Sequence, residues 1–302
     1  MTDRCRVGTR RSPLARAQTA LVLRALARAA PAARFEEVGV STSGDRDRSP
    51  GGSPDFTDAI DRALLDGKID LAVHSAKDLP ARLDRRFRIV ALLRRANPRD
   101  CLVARRLTPG SPLPRGARVG SSSPRRRAQL LRYRPDLEVV EIRGNVDTRI
   151  GLVRSGVVDA ALLAVAGVVR LGRSTEIARV LPTSSFLPAP AQGALAVVAR
   201  AGDAPLVDAL RTLDHAATRA AVTAERSFAA ALGSDCRLPL AALATVRGRT
   251  LTLTGELLDR DGRRSLRRTQ RGPAAHPEQL GTALGRALRS AGVLRWAVRD
   301  GR

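Results

Sequence analysis

Residues 6–13 read RVGTRRSP, and residues 118–124 read RVGSSSP. Each stretch has the pattern of a short strand that ends near a glycine, followed by hydroxyl residues and a serine-proline pair. Such a pair is typical of a helix start, because serine caps the first N–H groups and proline suits the first helical position. We interpret the two stretches as one strand-to-helix turn that occurs in each half of an internal duplication.

A second pair of stretches follows in the same order. Residues 65–73 read LDGKIDLAV and residues 154–162 read RSGVVDAAL, and each predicts a helix end, a glycine turn and a buried strand. Glycine turns between helix and strand are common, so chance similarity is the alternative here. Strand-like and helical runs alternate along most of the chain, which predicts an α/β protein with largely parallel sheets.

We therefore predict two α/β lobes of one topology and a small α+β C-terminal domain. The first lobe takes residues 1–94 with residues 190–215, because the chain is expected to cross over near Pro98 and to return at a proline-rich stretch. The second lobe takes residues 95–189. Residues 216–302 form the last domain, with strands at 240–246 and 251–258 and a helix from Pro277 to about Ala291.

The net charge of +24 comes almost entirely from arginine, since Lys68 and Lys77 are the only lysines. A polyanion partner such as nucleic acid is one interpretation, but aromatic residues are 2% of the chain, few for a single-strand binder. A GC-rich coding sequence also explains many surface arginines. Arginine binds carboxylates bidentately, so a carboxylate-rich ligand is the alternative that we prefer.

Other classes of protein are disfavoured by pattern. Three scattered cysteines and no metal-ligand spacing predict neither a disulfide framework nor a metal site. No leader and no long apolar run are evident, so we expect a cytoplasmic protein.

Candidate anion-binding residues follow the predicted strands, where open α/β sheets bind ligands. Ordinary helix capping with solvated arginines is the alternative for each group alone. Arg143 and Arg149 flank the start of a helix after a strand predicted at 137–142, and Arg170 is expected at the end of another strand. The remaining candidates at the two helix starts are Arg10, Ser12, Ser123, Arg125 and Arg126.

Residues 73–80 read VHSAKDLP and follow an apolar strand. Asp78 is the acid candidate, with Lys77 beside it and Ser75 two residues before it. The alternatives are purely structural roles, namely a core histidine at His74 and a surface ion pair between Lys77 and Asp78.

Cys236 lies in residues 231–239, ALGSDCRLP, which are predicted to form a loop between a helix and a strand. A thiol in a loop is accessible and can carry a covalently bound group. A small buried hydrophobic residue is the alternative.

Together these stretches resemble the porphobilinogen deaminase family, also called hydroxymethylbilane synthase, over nearly the entire chain. The similar segments are residues 8–15, 73–80, 120–126, 143–146, 163–167, 192–194 and 225–226, and Cys236 with Pro239.

The resemblance implies two periplasmic-binding-protein-like lobes and a small third domain. It implies that Cys236 carries a dipyrromethane cofactor through a thioether, and that four porphobilinogen units are added to it with loss of ammonia, giving hydroxymethylbilane. The substrate is a small molecule, and we expect a monomer with neither nucleic-acid nor membrane partners.

The resemblance also implies roles for residues. Asp78 and Lys77 are the catalytic candidates, because a carboxylate beside pyrrole N–H groups stabilises positive charge and moves protons. Pyrroles that carry acetate and propionate groups suit the arginines. Cofactor binding is expected of Cys236, Ser75, Lys77, Asp78, Ser123, Arg125, Arg126, Arg149 and Gln192. Substrate binding is expected of Arg10, Ser12, Gln18, Arg143, Arg149 and Arg170.

Three departures from the family pattern leave an alternative open. Residues 48–56 contain no lysine where the family has a lysine-bearing lid, Ser234 and Asp235 replace two glycines before Cys236, and residues 192–198 lack a glycine and an acid. Asp235 is expected to raise the thiol pKa and Arg237 to lower it. The alternative is a divergent paralogue that binds pyrroles or carboxylates without elongating them.

Overall fold

The computed structural model describes residues 4–41, 57–105, 111–203, 210–233 and 238–297. These residues form two compact units. The first takes residues 1–96 and 193–219, and the second takes residues 97–192 and 220–302. Cys236, its neighbours Ser234 and Asp235, and the stretch 48–56 lie outside the described residues. No helix within the described ranges is both long and apolar enough to cross a membrane.

The helices and strands alternate along most of the chain, as predicted. In chain order they are β1 (Arg4–Arg10), α1 (Pro13–Ala29), β2 (Arg34–Val40), α2 (Asp58–Leu65), β3 (Leu71–Ser75), β4 (Phe87–Leu92), β5 (Asp100–Ala104), β6 (Arg118–Gly120), α3 (Pro124–Tyr133), β7 (Glu138–Val140), α4 (Val146–Arg154), β8 (Ala160–Ala164), α5 (Val165–Arg170), β9 (Ile177–Val180), β10 (Leu195–Arg200), α6 (Ala216–Ala231), β11 (Leu240–Arg247), β12 (Thr250–Leu258), β13 (Ser265–Pro273), α7 (Pro277–Ser290) and α8 (Leu294–Ala297). Short 3₁₀ turns occur at Ala76–Asp78, Ser174–Glu176 and Arg211–Leu213.

The first unit is built on a five-stranded sheet of order β2-β1-β3-β10-β4. β1 runs parallel to β2 and to β3, whereas β10 runs antiparallel to β3 and β4. Leu71 and Val73 on β3 pack with Val22 and Leu26 on α1 in a common core. α1 therefore places Val22 and Leu26 against this sheet, whereas Leu21, on the apolar face from which the sequence predicted the helix, is exposed.

The second unit contains a sheet of order β7-β6-β8-β5-β9. This order matches the first sheet strand by strand, with β6 in the place of β1 and β8 in the place of β3. β5 is antiparallel to its neighbours and takes the place that β10 has in the first sheet. The return of the chain thus supplies the first sheet with β10 from outside residues 1–96, whereas every strand of the second sheet comes from residues 97–192.

Local contacts repeat as well. Ser12 and Ser123 each cap the following helix, and each precedes a proline at the helix start. The Asp70 carboxylate accepts the backbone N–H of Arg6 at 2.8 Å, and the Asp159 carboxylate accepts that of Arg118 at 2.7 Å. The predicted fold class, with two duplicated lobes, is confirmed by this shared topology and these shared contacts.

The C-terminal part is a three-stranded antiparallel sheet, β11-β12-β13, with helices α6 and α7. Leu251, Leu253 and Leu257 on β12 are fully buried. Phe228 on α6 packs where Gly255 has no side chain, since three ring atoms lie within 3.0 Å of the position that a Cβ would take. The predicted smaller C-terminal domain of helix and sheet is therefore present.

Several predicted elements need correction. The strand expected at 137–142 spans only Glu138–Val140. Arg170 does not end a strand, because β8 stops at Ala164 and the next six residues form α5. β13 was not predicted, because its arginine-rich sequence lacks the apolar alternation on which strand prediction depends.

Candidate active site

A pocket in the first lobe gathers five of the residues that the sequence singled out. Its volume is about 390 Å³ including space open to solvent, a size that suits a small ligand. Its lining includes Arg10, Ser12, Gln18, Ser75 and Asp78.

The fold explains why these residues meet. β1 and β3 are parallel neighbours, so Arg10 and Ser75 end adjacent strands at the same sheet edge. Ser12 accepts a hydrogen bond from the N–H of Ala15 at 3.3 Å and thereby starts α1 at this edge. Buried Gln18, further along α1, donates from Nε2 to Ser75 Oγ at 2.9 Å and joins helix to strand.

Asp78 lies in the 3₁₀ turn that follows β3, and its side chain is exposed, as is that of Lys77. The turn is anchored by the N–H of Ala76, which donates to the carbonyl oxygen of Ala194 at 3.0 Å. The carboxylate is thus held at the pocket on a short, tethered turn and is accessible to a ligand.

His74 is buried and forms part of the lining of this pocket. Its Nε2 has no hydrogen-bond partner among the described residues. Burial, and then the charge of Arg10, lower the pKa of His74 to about 4. The imidazole is therefore uncharged at neutral pH, as expected of a core histidine.

In the second compact unit three candidates converge on one buried carboxylate, Asp100. Arg125 Nη1 donates to Asp100 Oδ2 at 2.7 Å, and Arg126 Nη2 donates to Asp100 Oδ1 at 2.7 Å. Gln192 Nε2 donates to the same Oδ1 at 3.0 Å. Asp100 has no exposed surface, and the two arginines are 4% and 5% exposed. These guanidinium groups therefore lie inside the lobe, which rules out the alternative of solvated arginines for both.

The electrostatics of this cluster are coupled. Burial alone would raise the pKa of the Asp100 carboxyl, but the charges and hydrogen bonds of Arg125 and Arg126 hold it below its usual range. Burial lowers the pKa of Arg125, and Asp100 opposes that shift. Asp100 is thus ionised at neutral pH.

The remaining second-lobe candidates lie in several places. Ser123 Oγ accepts the N–H of Arg126 and caps α3. Arg149 donates to the Gly144 carbonyl and to Ser122 Oγ, which joins the start of α4 to the turn before α3. Arg143 pairs with Glu141 at 2.6 Å. Arg170 ends α5, where burial lowers its pKa to about 10.

Two cysteines are poor nucleophiles. Cys5 and Cys101 are buried, and burial is the main cause that raises the pKa of each thiol to about 12. The reactive form of cysteine is the thiolate, so neither suits covalent chemistry at neutral pH. Among the described residues no group of three or more His, Cys, Asp or Glu side chains could hold a metal ion.

Sequence reasoning missed three buried carboxylates. Asp100 begins β5, Glu225 lies in α6, and Glu256 lies in β12. Burial raises the pKa of Glu256, against the charges of Arg267, Arg132 and Arg125. A charged residue at the start of an apolar strand was the signal available for Asp100, and the resemblance pointed to residue 225 without a role.

Comparison with known proteins identifies relatives along the whole chain. A family model described as porphobilinogen deaminase, dipyromethane cofactor binding domain, matches residues 5–208, and one described as porphobilinogen deaminase, C-terminal domain, matches residues 219–290. The porphobilinogen deaminase of Roseiflexus castenholzii is 43% identical over 297 residues, 97% of this chain and 98% of that protein. The porphobilinogen deaminase of Stenotrophomonas maltophilia is 44% identical over 293 residues, 95% of this chain and 97% of that protein.

Solved structures are more distant. The periplasmic aliphatic sulphonate binding protein SsuA from Escherichia coli is 15% identical, with a TM-score of 0.42, over 78% of this chain and 73% of that chain.

Proposed function

Because the chain belongs to the porphobilinogen deaminase family, we propose that Asp78 in the first-lobe pocket handles the proton and the positive charge of its reaction. The enzyme is a transferase of tetrapyrrole synthesis. It joins four porphobilinogen units head to tail, with loss of ammonia at each step, and gives hydroxymethylbilane. Its cofactor is dipyrromethane.

The observation that carries this proposal is the accessible Asp78 carboxylate beside Arg10, Ser12 and Gln18 in one pocket. Loss of ammonia leaves an electron-poor pyrrole, and bond formation places positive charge on pyrrole nitrogen. An Asp78 oxygen can accept the hydrogen bond of that N–H, stabilise the charge and move the proton. Arg10 supplies the charge that holds an acetate or propionate group, with Ser12, Ser75 and Lys77 as further donors.

The cluster of Arg125, Arg126 and Gln192 around Asp100 suits the carboxylate groups of the cofactor. Two guanidinium groups share one directly bonded carboxylate, Asp100, and buried Arg125 Nε has no partner in the described part of the chain. These hydrogen-bond donors can bind a further carboxylate group. Arg125, Arg126, Gln192, Ser123 and Arg149 are the residues that would hold the cofactor, which supplies the primer to which substrate units are added.

Cys236 is the proposed point of attachment. The chain has three cysteines, and the low reactivity of Cys5 and Cys101 supports the third. We also propose that Arg143 and Arg170 hold the side chains of later pyrrole units. The alternative of a non-elongating paralogue gains no support from relatives that are named porphobilinogen deaminase.

The organisation of the protein is also proposed. We expect a cytoplasmic monomer whose partner is the small-molecule substrate rather than nucleic acid or membrane. We retain the boundaries 1–94 with 190–215, 95–189 and 216–302 for the two lobes and the C-terminal domain.

The experiment compares Asp78→Asn with a matched control, Asp84→Asn. Asp84 is an aspartate that lies outside the pocket lining and pairs with Arg86. We expect Asp78→Asn to remain folded and to lose at least about 100-fold in tetrapyrrole formation from porphobilinogen. Asp84→Asn should stay within about twofold of the parent, as surface changes usually do.

Two outcomes would contradict parts of the proposal. Near-normal turnover of Asp78→Asn would contradict the proposed role of Asp78 in handling the proton and the positive charge. A Cys236→Ala variant that still carries the mass of two pyrrole units, measured by intact-protein mass spectrometry, would remove the attachment point.

A further inference from the structure

Asp100 holds two arginines that come from the next helix along the lobe. Its Oδ2 faces Arg125, whereas its Oδ1 accepts Nε and Nη2 of Arg126 at 3.0 and 2.7 Å. The two carboxylate oxygens are therefore divided between two guanidinium groups. Such charge-assisted hydrogen bonds fix both distance and plane.

Backbone carbonyls complete the arrangement. Arg125 Nη1 also donates to the Leu187 carbonyl at 2.6 Å, and Arg126 Nη1 donates to the Leu162 carbonyl at 3.0 Å. Each guanidinium group is thus held from two sides. Gln192 extends the set, since its Nε2 bonds both Asp100 and the Pro98 carbonyl.

The direct ion pairs leave a positive excess. Two buried arginines carry two positive charges, and Asp100 supplies one negative charge. Among the described residues, a second carboxyl near Arg125 is that of Glu256, which also lies near Arg267 and Arg132, and burial disfavours its charged form. A buried positive charge is costly unless it is paired. The cluster therefore has room, electrostatically, for one more carboxylate.

We propose that Asp100 is a positioning residue for cofactor assembly: it holds Arg125 and Arg126 side by side and leaves them one unit of positive charge, which one pyrrole carboxylate of the dipyrromethane neutralises. This inference rests on the proposed function of the cluster. Asp100 itself carries the same charge as that carboxylate and therefore acts through the arginines rather than on the ligand.

Asp70 offers a matched control. It is an aspartate in the first lobe that is shared by two arginines, Arg6 at 2.8 Å and Arg200 at 3.5 Å. Asp70 is not one of the candidate site residues. Asp70→Asn and Asp100→Asn each remove one negative charge from a pair of arginines, but only Asp100→Asn disturbs Arg125 and Arg126.

The test measures cofactor assembly separately from turnover. Full-length parent and variants are produced without cofactor in a host that cannot make porphobilinogen. Porphobilinogen is then added, and intact-protein mass spectrometry follows the gain of two pyrrole units. We expect Asp100→Asn to assemble the cofactor at least about tenfold more slowly than the parent, the effect of losing one charge-assisted contact. Asp70→Asn should assemble it within about twofold, although urea unfolding shows both variants destabilised.

The outcomes separate the two proposals. A parent that gains no pyrrole mass overturns the proposed function. If the parent and Asp100→Asn gain the mass of two pyrrole units at the same rate, only the proposed role of Asp100 is overturned. If Asp100→Asn does not fold, Asp100→Glu replaces it, because it keeps the charge and displaces it by one methylene group. Slower assembly by folded Asp100→Glu supports positioning, and assembly at the parental rate overturns it.

Discussion

Glu225 connects two segments of the second unit through one carboxylate. Its side chain is fully buried, and its two oxygens accept the backbone N–H groups of Ala191 at 2.5 Å and of Ala244 at 2.7 Å. In the described residues Ala191 is the one non-glycine residue with positive φ, at 61°. It directly precedes Gln192, so Glu225 helps to hold the residue that bonds Asp100.

The size of the effect follows from those two hydrogen bonds. A hydrogen bond to a charged group contributes about 1.5–3 kcal/mol, and a buried N–H that loses its partner costs about 1–3 kcal/mol. Glu225→Ala removes both acceptors, so we expect the free energy of unfolding to fall by about 3–5 kcal/mol. Glu225→Gln keeps one acceptor oxygen, so the expected loss is about 1.5–3 kcal/mol.

Urea unfolding at neutral pH measures this loss. The chain has one tryptophan, Trp296, which belongs to the same unit as Glu225, so its fluorescence reports the relevant transition. Glu278→Gln is the matched control, because Glu278 is an exposed glutamate in the first turn of α7, and it should change stability by less than about 0.5 kcal/mol. If Glu225→Gln were as stable as Glu278→Gln, the two hydrogen bonds would not carry the stability assigned to them.

Two further predictions concern His74 and Gly255. The pKa of His74 is about 4 in the folded protein, against an ordinary value of 6.5, so its contribution to stability is complete above pH 6.5 and is lost as the pH falls towards 4. His74→Gln should therefore flatten the pH dependence of the free energy of unfolding in urea between these values. An unchanged slope would contradict this. A methyl group at Gly255 would overlap the Phe228 ring, so Gly255→Ala should cost about 1–3 kcal/mol. Phe228→Leu in the same protein should recover part of that loss, and simple additivity of the two changes in thermal unfolding would count against the contact.

The local repeats were predictable because each is encoded within a few residues. Ser12 and Ser123 cap helices through N–H groups three residues ahead, and proline follows each of them. The glycine turns at Gly67 and Gly156 have φ of 65° and 79°, a conformation that glycine adopts readily. Such short-range patterns identified the duplicated lobes.

The position of the turn within residues 73–80 was also predictable, since it follows an apolar strand. Which residues contact this loop depended on the order of strands in the sheet. Gln18 and Ser75 are 57 residues apart, and they meet because β1 and β3 are neighbours.

The sequence by itself determined the fold class, the strand-to-helix turns and the loop that carries Asp78, because hydrophobic spacing and caps act over a few residues. Only the tertiary structure decided that Arg125, Arg126 and Gln192 meet at Asp100, across separations of 25, 26 and 92 residues. In the sequence these arginines resembled solvated charges like many others in this chain. Which ones are buried depends on where a carboxylate lies when strands distant along the chain are brought together, and no local pattern encodes that.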